Sequence, residues 1–209
     1  MKIKKEWCKV NYEQLQNKCN VPKSMQGELK LNSGKDLEKY KYLDYVKNNI
    51  EEFIENGCNL YIYSPFIGNG KTSWAVKLLN QHIKNVCETG NTDTNLVGLF
   101  VNVDEFFVTQ VKPLKIDQSF INLCQQVDLL VLDDIGATQL TSLEEQVLRS
   151  IIDTRLVNGK STIYTSSAID DTLYNVVGDR IANKIIESSI IVEFTNRSLR
   201  RPVQLNYSK

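Results

Sequence analysis

The sequence holds a single histidine, His82, and its five cysteines (Cys8, Cys19, Cys58, Cys87 and Cys124) are scattered without a C-x-x-C pair. That spacing excludes a zinc site built from cysteine and histidine. An odd, dispersed set of thiols fits a reducing, cytoplasmic setting rather than a disulfide framework. No apolar run approaches the ~20 residues that a membrane-spanning helix needs. The opening MKIKKEWCKV carries charge but no apolar segment, so no signal peptide is expected. Neither sign of charge is in excess. With 25 basic and 25 acidic side chains there is no basic coat for nucleic acid, although a local basic face is compatible with the count. Low-complexity tracts and internal repeats are also missing.

What is present suits one globular domain with a short appendage: 209 residues, 42% hydrophobic and 24% charged. Residues 1–34 are polar and lysine-rich, broken by Pro22, Gly27 and Gly34, and read as an N-terminal extension to a domain spanning 35–209. From Asp36 to Gly57 the apolar residues Leu37, Tyr40, Leu43, Val46, Ile50, Phe53 and Ile54 recur at helical steps, with Gly57 as a C-cap. Short β-rich runs follow at 58–64, 96–103, 127–134, 161–167 and 188–194, with helical patterns at 74–86 and 142–160 between them. Strands alternating with helices predict an α/β fold, a five-stranded parallel sheet flanked by helices.

The first strand runs into YSPFIGNGKTS (63–73), the context that turns a phosphate-loop match into a structural claim. Backbone N–H groups from Gly68, Asn69, Gly70, Lys71, Thr72 and Ser73 can wrap an anion at a helix N-terminus. Lys71 would reach the β/γ-phosphates of ATP, and Thr72 would offer its hydroxyl to Mg²⁺. Pro65 stands where the G-x-x-x-x-G-K-[ST] pattern has its first glycine. Proline fixes φ and would be excluded if that position required φ > 0. Two geometries stay open: a direct replacement in the opening turn, or a Ser64-Pro65 opening with one extra residue. Further on, LLVLDDIG (129–136) ends an apolar strand in Asp133-Asp134, at the sheet edge the phosphate loop shares. Asp133 is the candidate Mg²⁺ partner, and Asp134 the candidate that orients an attacking water. Together these residues predict an ATPase.

The order LLVLDDIGA, EEQVLRSIIDTRLVNGKSTIYTSS, GDRIANKI and NRSLR resembles the AAA+ ATPases that load bacterial replicative helicases, the DnaC/DnaI type. The resemblance runs from about Val21-Pro22 to Arg201, and GNGKTSW and the compact size look like phage- or mobile-element-encoded members. It implies a P-loop NTPase of AAA+ type in a bacterial cytoplasm, working as an ATP-dependent homo-oligomer with a DnaB-type replicative helicase and single-stranded DNA. Ser167 falls at the family's sensor-1 position, usually asparagine. Where the family has two arginines four apart, Arg180 is kept and the second is Lys184. One of the pair is implied as an arginine finger, and only Arg180 keeps the planar fork. Arg200, in Ser198-Leu199-Arg200, matches the sensor-2 element. Arg155 is a weaker candidate for a nucleotide or subunit contact. The family's DNA contact involves the excursion at 103–120. There Phe106, Phe107, Lys112 and Lys115 offer stacking and phosphate-seeking groups, and adjacency on a helix predicts that one of the two phenylalanines is exposed.

The largest departure lies at the front, where only a short segment stands in place of a helicase-binding domain. A helix carrying Trp7, Val10 and Leu15 either latches into a helicase groove or folds back on the core. Two other readings compete with the loader. An IstB-like transposition helper would share the fold, although such helpers usually end the strand with Asp-Glu. A non-hydrolysing helicase-binding regulator would tolerate the three departures Pro65, Ser167 and Lys184. A small-molecule kinase lacks an arginine-rich lid segment.

Overall fold

Alternation within the apolar runs decides which side each residue faces. Leu60 and Ile62 of β1 (Asn59–Tyr63) pack into one hydrophobic cluster, while Tyr61 between them packs into another on the opposite side of the sheet. The computed structural model describes residues 12–27, 29–89, 97–112, 115–168 and 171–197. In it, β1 lies with β2 (Gly98–Asn102), β5 (Leu129–Asp133), β6 (Ser161–Ser166) and β7 (Ser189–Glu193) in one sheet, in the order β2-β5-β6-β1-β7. Every pairing in this sheet is parallel. The three interior strands are buried on both faces, which explains the apolar runs of β1 and β5; β6, STIYTS, buries hydroxyls as well.

One cluster forms under α2 (Leu37–Asn48), α3 (Ile50–Glu55) and α4 (Lys71–Thr89). The other forms under α5 (Val103–Gln110), α6 (Gln118–Gln126), α7 (Ser142–Val157), α8 (Asp171–Val177) and α9 (Asp179–Ser188). The single helix expected from Asp36 to Gly57 is two. At Asn49 the backbone leaves the helical region (φ −118°, ψ 33°) and the side-chain amide donates to the Tyr45 carbonyl at 2.9 Å. An asparagine that satisfies a carbonyl with its own side chain competes with the helix ladder. Gly57 caps the pair in the left-handed region (φ +61°), with Cys58 N–H returning to the Phe53 carbonyl at 3.1 Å.

The N-terminal segment is in contact with this core. In α1 (12–18), Leu15 is half-buried against the α2–α4 cluster, and Gln16 donates to Asn80 of α4 at 2.8 Å. Cys19 and Val21 are buried, and Phe100 N–H of the edge strand β2 bonds the Cys19 carbonyl at 2.8 Å. Trp7 and Val10 lie outside the described residues.

Arg155 corrects an expectation. It is 1% exposed, and its guanidinium donates to Thr162 Oγ1 (2.9 Å) and to the carbonyls of Cys124 (2.9 Å), Val127 (2.8 Å) and Ser161. Burial draws its pKa down to about 10, and the planar fork collects carbonyls from α6, from the connection that follows it and from the start of β6. It is a structural staple, shielded from solvent.

Candidate functional site: a phosphate loop beside paired aspartates

β1 hands over to the phosphate loop at Ser64, whose N–H still bonds the Ser166 carbonyl of β6 at 3.1 Å. Ser64 is fully buried, and its Oγ accepts from Phe66 N–H (3.2 Å) and from Asn69 Nδ2 (2.6 Å). The serine hydroxyl thus supports the turn from inside. Pro65 sits on the exposed side of that turn and its φ is not positive. The left-handed conformations belong to Gly68 (φ +79°) and Gly70 (φ +99°), so the loop asks for glycine where the sequence has it. A Cβ at Gly70 would also come within 3.0 Å of the Tyr40 hydroxyl, which supports the loop from below by donating to the Asn69 carbonyl at 3.2 Å.

Helix α4 begins at Lys71, three residues earlier than the apolar pattern suggested, so its first-turn N–H groups face the loop. Lys71 is buried, and its ammonium donates to the carbonyls of Phe66 (2.9 Å) and Ser64 (3.3 Å). Desolvation lowers its pKa, an effect the charges of Asp134 and Asp133 oppose. Two carboxylates therefore share the space next to the ammonium.

Asp133 ends β5, 6% exposed. Burial pushes its carboxyl above the ordinary range and the neighbouring Asp134 adds to this, while hydrogen bonds from Thr165, Thr72 and Asn102 act the other way. The Thr72 hydroxyl and this carboxylate are the kind of oxygen donors a hard divalent cation takes. Asp134 follows with φ +59°, one of two non-glycine residues in the left-handed region among those described. A non-glycine residue there is uncommon and marks a constrained, often functional, backbone. Thr165 of β6 holds both aspartates: its Oγ1 donates to Asp133 Oδ1 at 2.7 Å and accepts from Asp134 N–H at 2.9 Å.

Lys71, Thr72 and Asp134 open onto a cleft of about 440 Å³, whose lining does not include Asp133 or Thr165. Ile67 to Ser73, Asp134 and Ser167 line one side, so Ser167 shares the cavity with the phosphate loop. The other side is made by Met25, Lys30, Leu31, Asn32 and Tyr40. Sequence reasoning missed that wall because 25–32 carries no motif. It missed Thr165 for a subtler reason: a threonine in a strand is ordinary, and only the register beside β5 gives it two aspartates.

Other candidates lie apart. Arg180 is exposed in the first turn of α9 and is not among the residues lining the cleft. Lys184, one turn on, is paired with Asp153 of α7. Arg200 lies outside the described residues. Phe106 and Phe107 correct the expectation that one of them would be exposed: they are 3% and 4% exposed, with ring centroids 5.1 Å apart. Adjacent helical positions are 100° apart, within the width of one apolar stripe, and it is Val108 that faces outward at 74% exposure. Neither ring offers a stacking platform for DNA. Lys112 and Lys115 face each other across the short antiparallel pair β3 (Val111–Lys112) and β4 (Lys115–Ile116), and their side chains lie outside the description. Among the described residues no helix is long and apolar enough to cross a membrane, and no cluster of His, Cys, Asp and Glu could hold a metal ion by itself.

No protein-family model matches the sequence. The chain is 24% identical over 148 residues to the uncharacterized protein YdaV of Escherichia coli (strain K12), covering 71% of this chain and 57% of that protein. It is 25% identical over 170 residues to the replicative helicase loader DnaC of Buchnera aphidicola subsp. Schizaphis graminum (strain Sg), covering 78% of this chain and 65% of DnaC. The chain therefore spans less than two thirds of the length of either relative. The crystal structure of the DnaC helicase loader matches with a TM-score of 0.61 at 21% identity, over 82% of this chain and 96% of that one. AMPPCP-bound DnaA from Aquifex aeolicus matches with a TM-score of 0.61 at 24% identity, over 79% and 48%. The fold is that of the AAA+ P-loop proteins, and in sequence as in fold the chain is similar to DnaC-type helicase loaders.

Proposed function

We propose that this DnaC-like AAA+ chain binds and hydrolyses ATP with Mg²⁺, and uses that cycle to load a DnaB-type replicative helicase onto single-stranded DNA. The observation that carries the nucleotide reading is the Asp133–Thr165–Asp134 chain of contacts beside a glycine loop with its lysine in place. The backbone N–H groups of Gly68 to Ser73 hold the phosphates, and Lys71 leaves the loop carbonyls for the β/γ-phosphate oxygens. Thr72 and Asp133 would hold Mg²⁺, which would supply charge neutralisation at those oxygens. Asp134 orients the attacking water and accepts its proton, and Ser167 donates a hydrogen bond to the γ-phosphate from the same side of the cleft.

Arg180 acts on the nucleotide of a neighbouring subunit. Its exposure, and the pairing of Lys184 with Asp153, leave Arg180 as the cation of the pair that is turned outward. Arg200 is the candidate that senses nucleotide within the same chain. The segment 1–34 carries the helicase contact, and Lys112 and Lys115 the DNA contact. DnaC is named a replicative helicase loader and DnaA was solved with AMPPCP, which supports loading and ATP binding here.

The test combines the full chain with a DnaB-type helicase and a single-stranded circle, with and without ATP. ATP-dependent complex formation followed by transfer of helicase to the circle is expected. Assembly on duplex DNA without helicase capture would favour an IstB-like helper. Capture without transfer or turnover would favour a non-hydrolysing regulator, the reading to which the single arginine of the Arg180/Lys184 pair lends weight.

A further inference from the structure

A buried carboxylate outside the nucleotide chemistry ties three distant parts of the chain together. Asp36, 4% exposed, accepts from Thr195 N–H (3.0 Å), Thr195 Oγ1 (2.7 Å), Asn196 N–H (3.0 Å) and Asn196 Nδ2 (2.6 Å). Asn196, itself buried, returns bonds to the other side of the junction: its Oδ1 accepts from Lys35 N–H at 2.8 Å and its Nδ2 donates to the Ser33 carbonyl at 2.6 Å. Gly34 makes room for it, since a Cβ there would stand 2.6 Å from Asn196 Oδ1. The third part is the phosphate loop. Asn69 Nδ2 reaches out of the loop to the Asn196 carbonyl at 3.3 Å, while its Oδ1 meets no donor among the described residues. One residue on, the Arg197 guanidinium lies over the ring of Phe66, 5.8 Å from its centroid.

The middle residue of the phosphate loop is thereby tethered to the chain just beyond β7, which is clamped by Asp36 to the chain just before α2. An anion bound by Gly68 to Ser73 sets the peptide planes on both sides of Asn69, so its side chain cannot hold its tether independently of the bound state. We propose that Asp36 is a positioning residue that registers the phosphate loop against the roots of both terminal segments, so that nucleotide binding is transmitted to residues 33–36 and 195–197. The inference rests on the nucleotide reading given above.

Amide hydrogen exchange on the full chain, with and without Mg²⁺ and AMPPCP, tests it alongside direct binding of the analogue. In the wild type the analogue should slow exchange at Lys35, Thr195 and Asn196 by about fivefold or more, the low end for energetically linked sites. Asp36→Ala should abolish that response at Lys35, whose own bond to Asn196 does not involve the carboxylate, and by reciprocity weaken analogue binding by a similar factor of about five or more. If Asp36→Ala does not fold, Asn196→Gly serves: it cuts the side-chain ties to Ser33, Lys35 and the Asp36 carboxylate but keeps the carbonyl that Asn69 uses, and the Lys35 response should again disappear. A wild type that binds the analogue with unchanged exchange at these amides overturns the proposal. So does a folded variant whose response persists, because a merely structural Asp36 would lower the melting temperature and leave the response intact. Failure of the wild type to bind the analogue would instead remove the nucleotide reading, and this inference with it.

Discussion

Replacing Thr165 with valine removes one hydroxyl and keeps the β-branched shape that the strand accommodates. The hydroxyl, 1% exposed as part of its residue, donates to Asp133 at 2.7 Å and accepts the Asp134 N–H at 2.9 Å. A hydrogen bond to a charged group contributes about 1.5–3 kcal/mol, and a buried donor left unmade costs about 1–3 kcal/mol. Asp134 is only half-buried, so water recovers part of the second loss, and the net destabilisation should be about 2–4 kcal/mol. For a chain of this length that is a fall in melting temperature of roughly 5–12 °C. Turnover should fall further than stability alone explains, because the Asp134 backbone is held in its left-handed conformation from this side. ATP binding through the loop should persist. Calorimetric melting and single-turnover hydrolysis read the two effects separately. Melting within about 0.5 kcal/mol of wild type, the range of a neutral surface change, together with normal turnover, would refute the role given to Thr165.

Asp134→Asn should keep ATP affinity and stop hydrolysis, since asparagine tolerates the left-handed region; Asp134→Ala should do the same with an added loss of about 1–2 kcal/mol. Equal loss of binding and turnover, measured by calorimetric titration and phosphate release, would make Asp134 structural. Arg155→Met should destabilise the fold by about 2–5 kcal/mol by stranding several carbonyls, yet leave ATP affinity unchanged in the folded fraction. A specific loss of affinity or of self-association would restore it as a contact residue. The Asp36 carboxyl is pushed up by burial, but the hydrogen bonds of Thr195 and Asn196 outweigh this and hold it below the ordinary range. Its contribution is therefore intact above the unfolded value of about 3.9 and lost as pH falls through the lower folded value. Acid titration monitored by circular dichroism should show Asp36→Asn less stable at neutral pH and with a shallower acid limb; superimposable curves would contradict the assignment.

The candidate phosphate loop and the aspartate pair were legible because phosphate chemistry constrains residue type at fixed spacing. Gly68 and Gly70 need their conformations, Lys71 and Thr72 follow from them, and Asp133-Asp134 sits where a buried strand must end. Pro65 was readable only as an ambiguity, and the buried Ser64 hydroxyl that supports the turn from within is a contact the motif did not announce. What stayed hidden depends on contacts between distant residues. Thr165 acquires its partners from strand register, and the cleft wall at 25–32 from how the N-terminal segment lies across α4. Phe106 and Phe107 were misread because a short helix can bury two neighbours within one stripe. Asn49 broke a helix whose apolar period continues straight through it. Arg155 shows the same limit from the other side, since a charge in sequence does not say whether water or carbonyls will surround it.

Equilibrium binding of ATP in the presence of Mg²⁺, compared between the full-length wild type and Lys71→Ala, tests the central claim most directly. The account predicts saturable binding by the wild type and its loss in the variant, with the melting temperature little changed. Equal affinity in the two proteins, or none in the folded wild type, would contradict it.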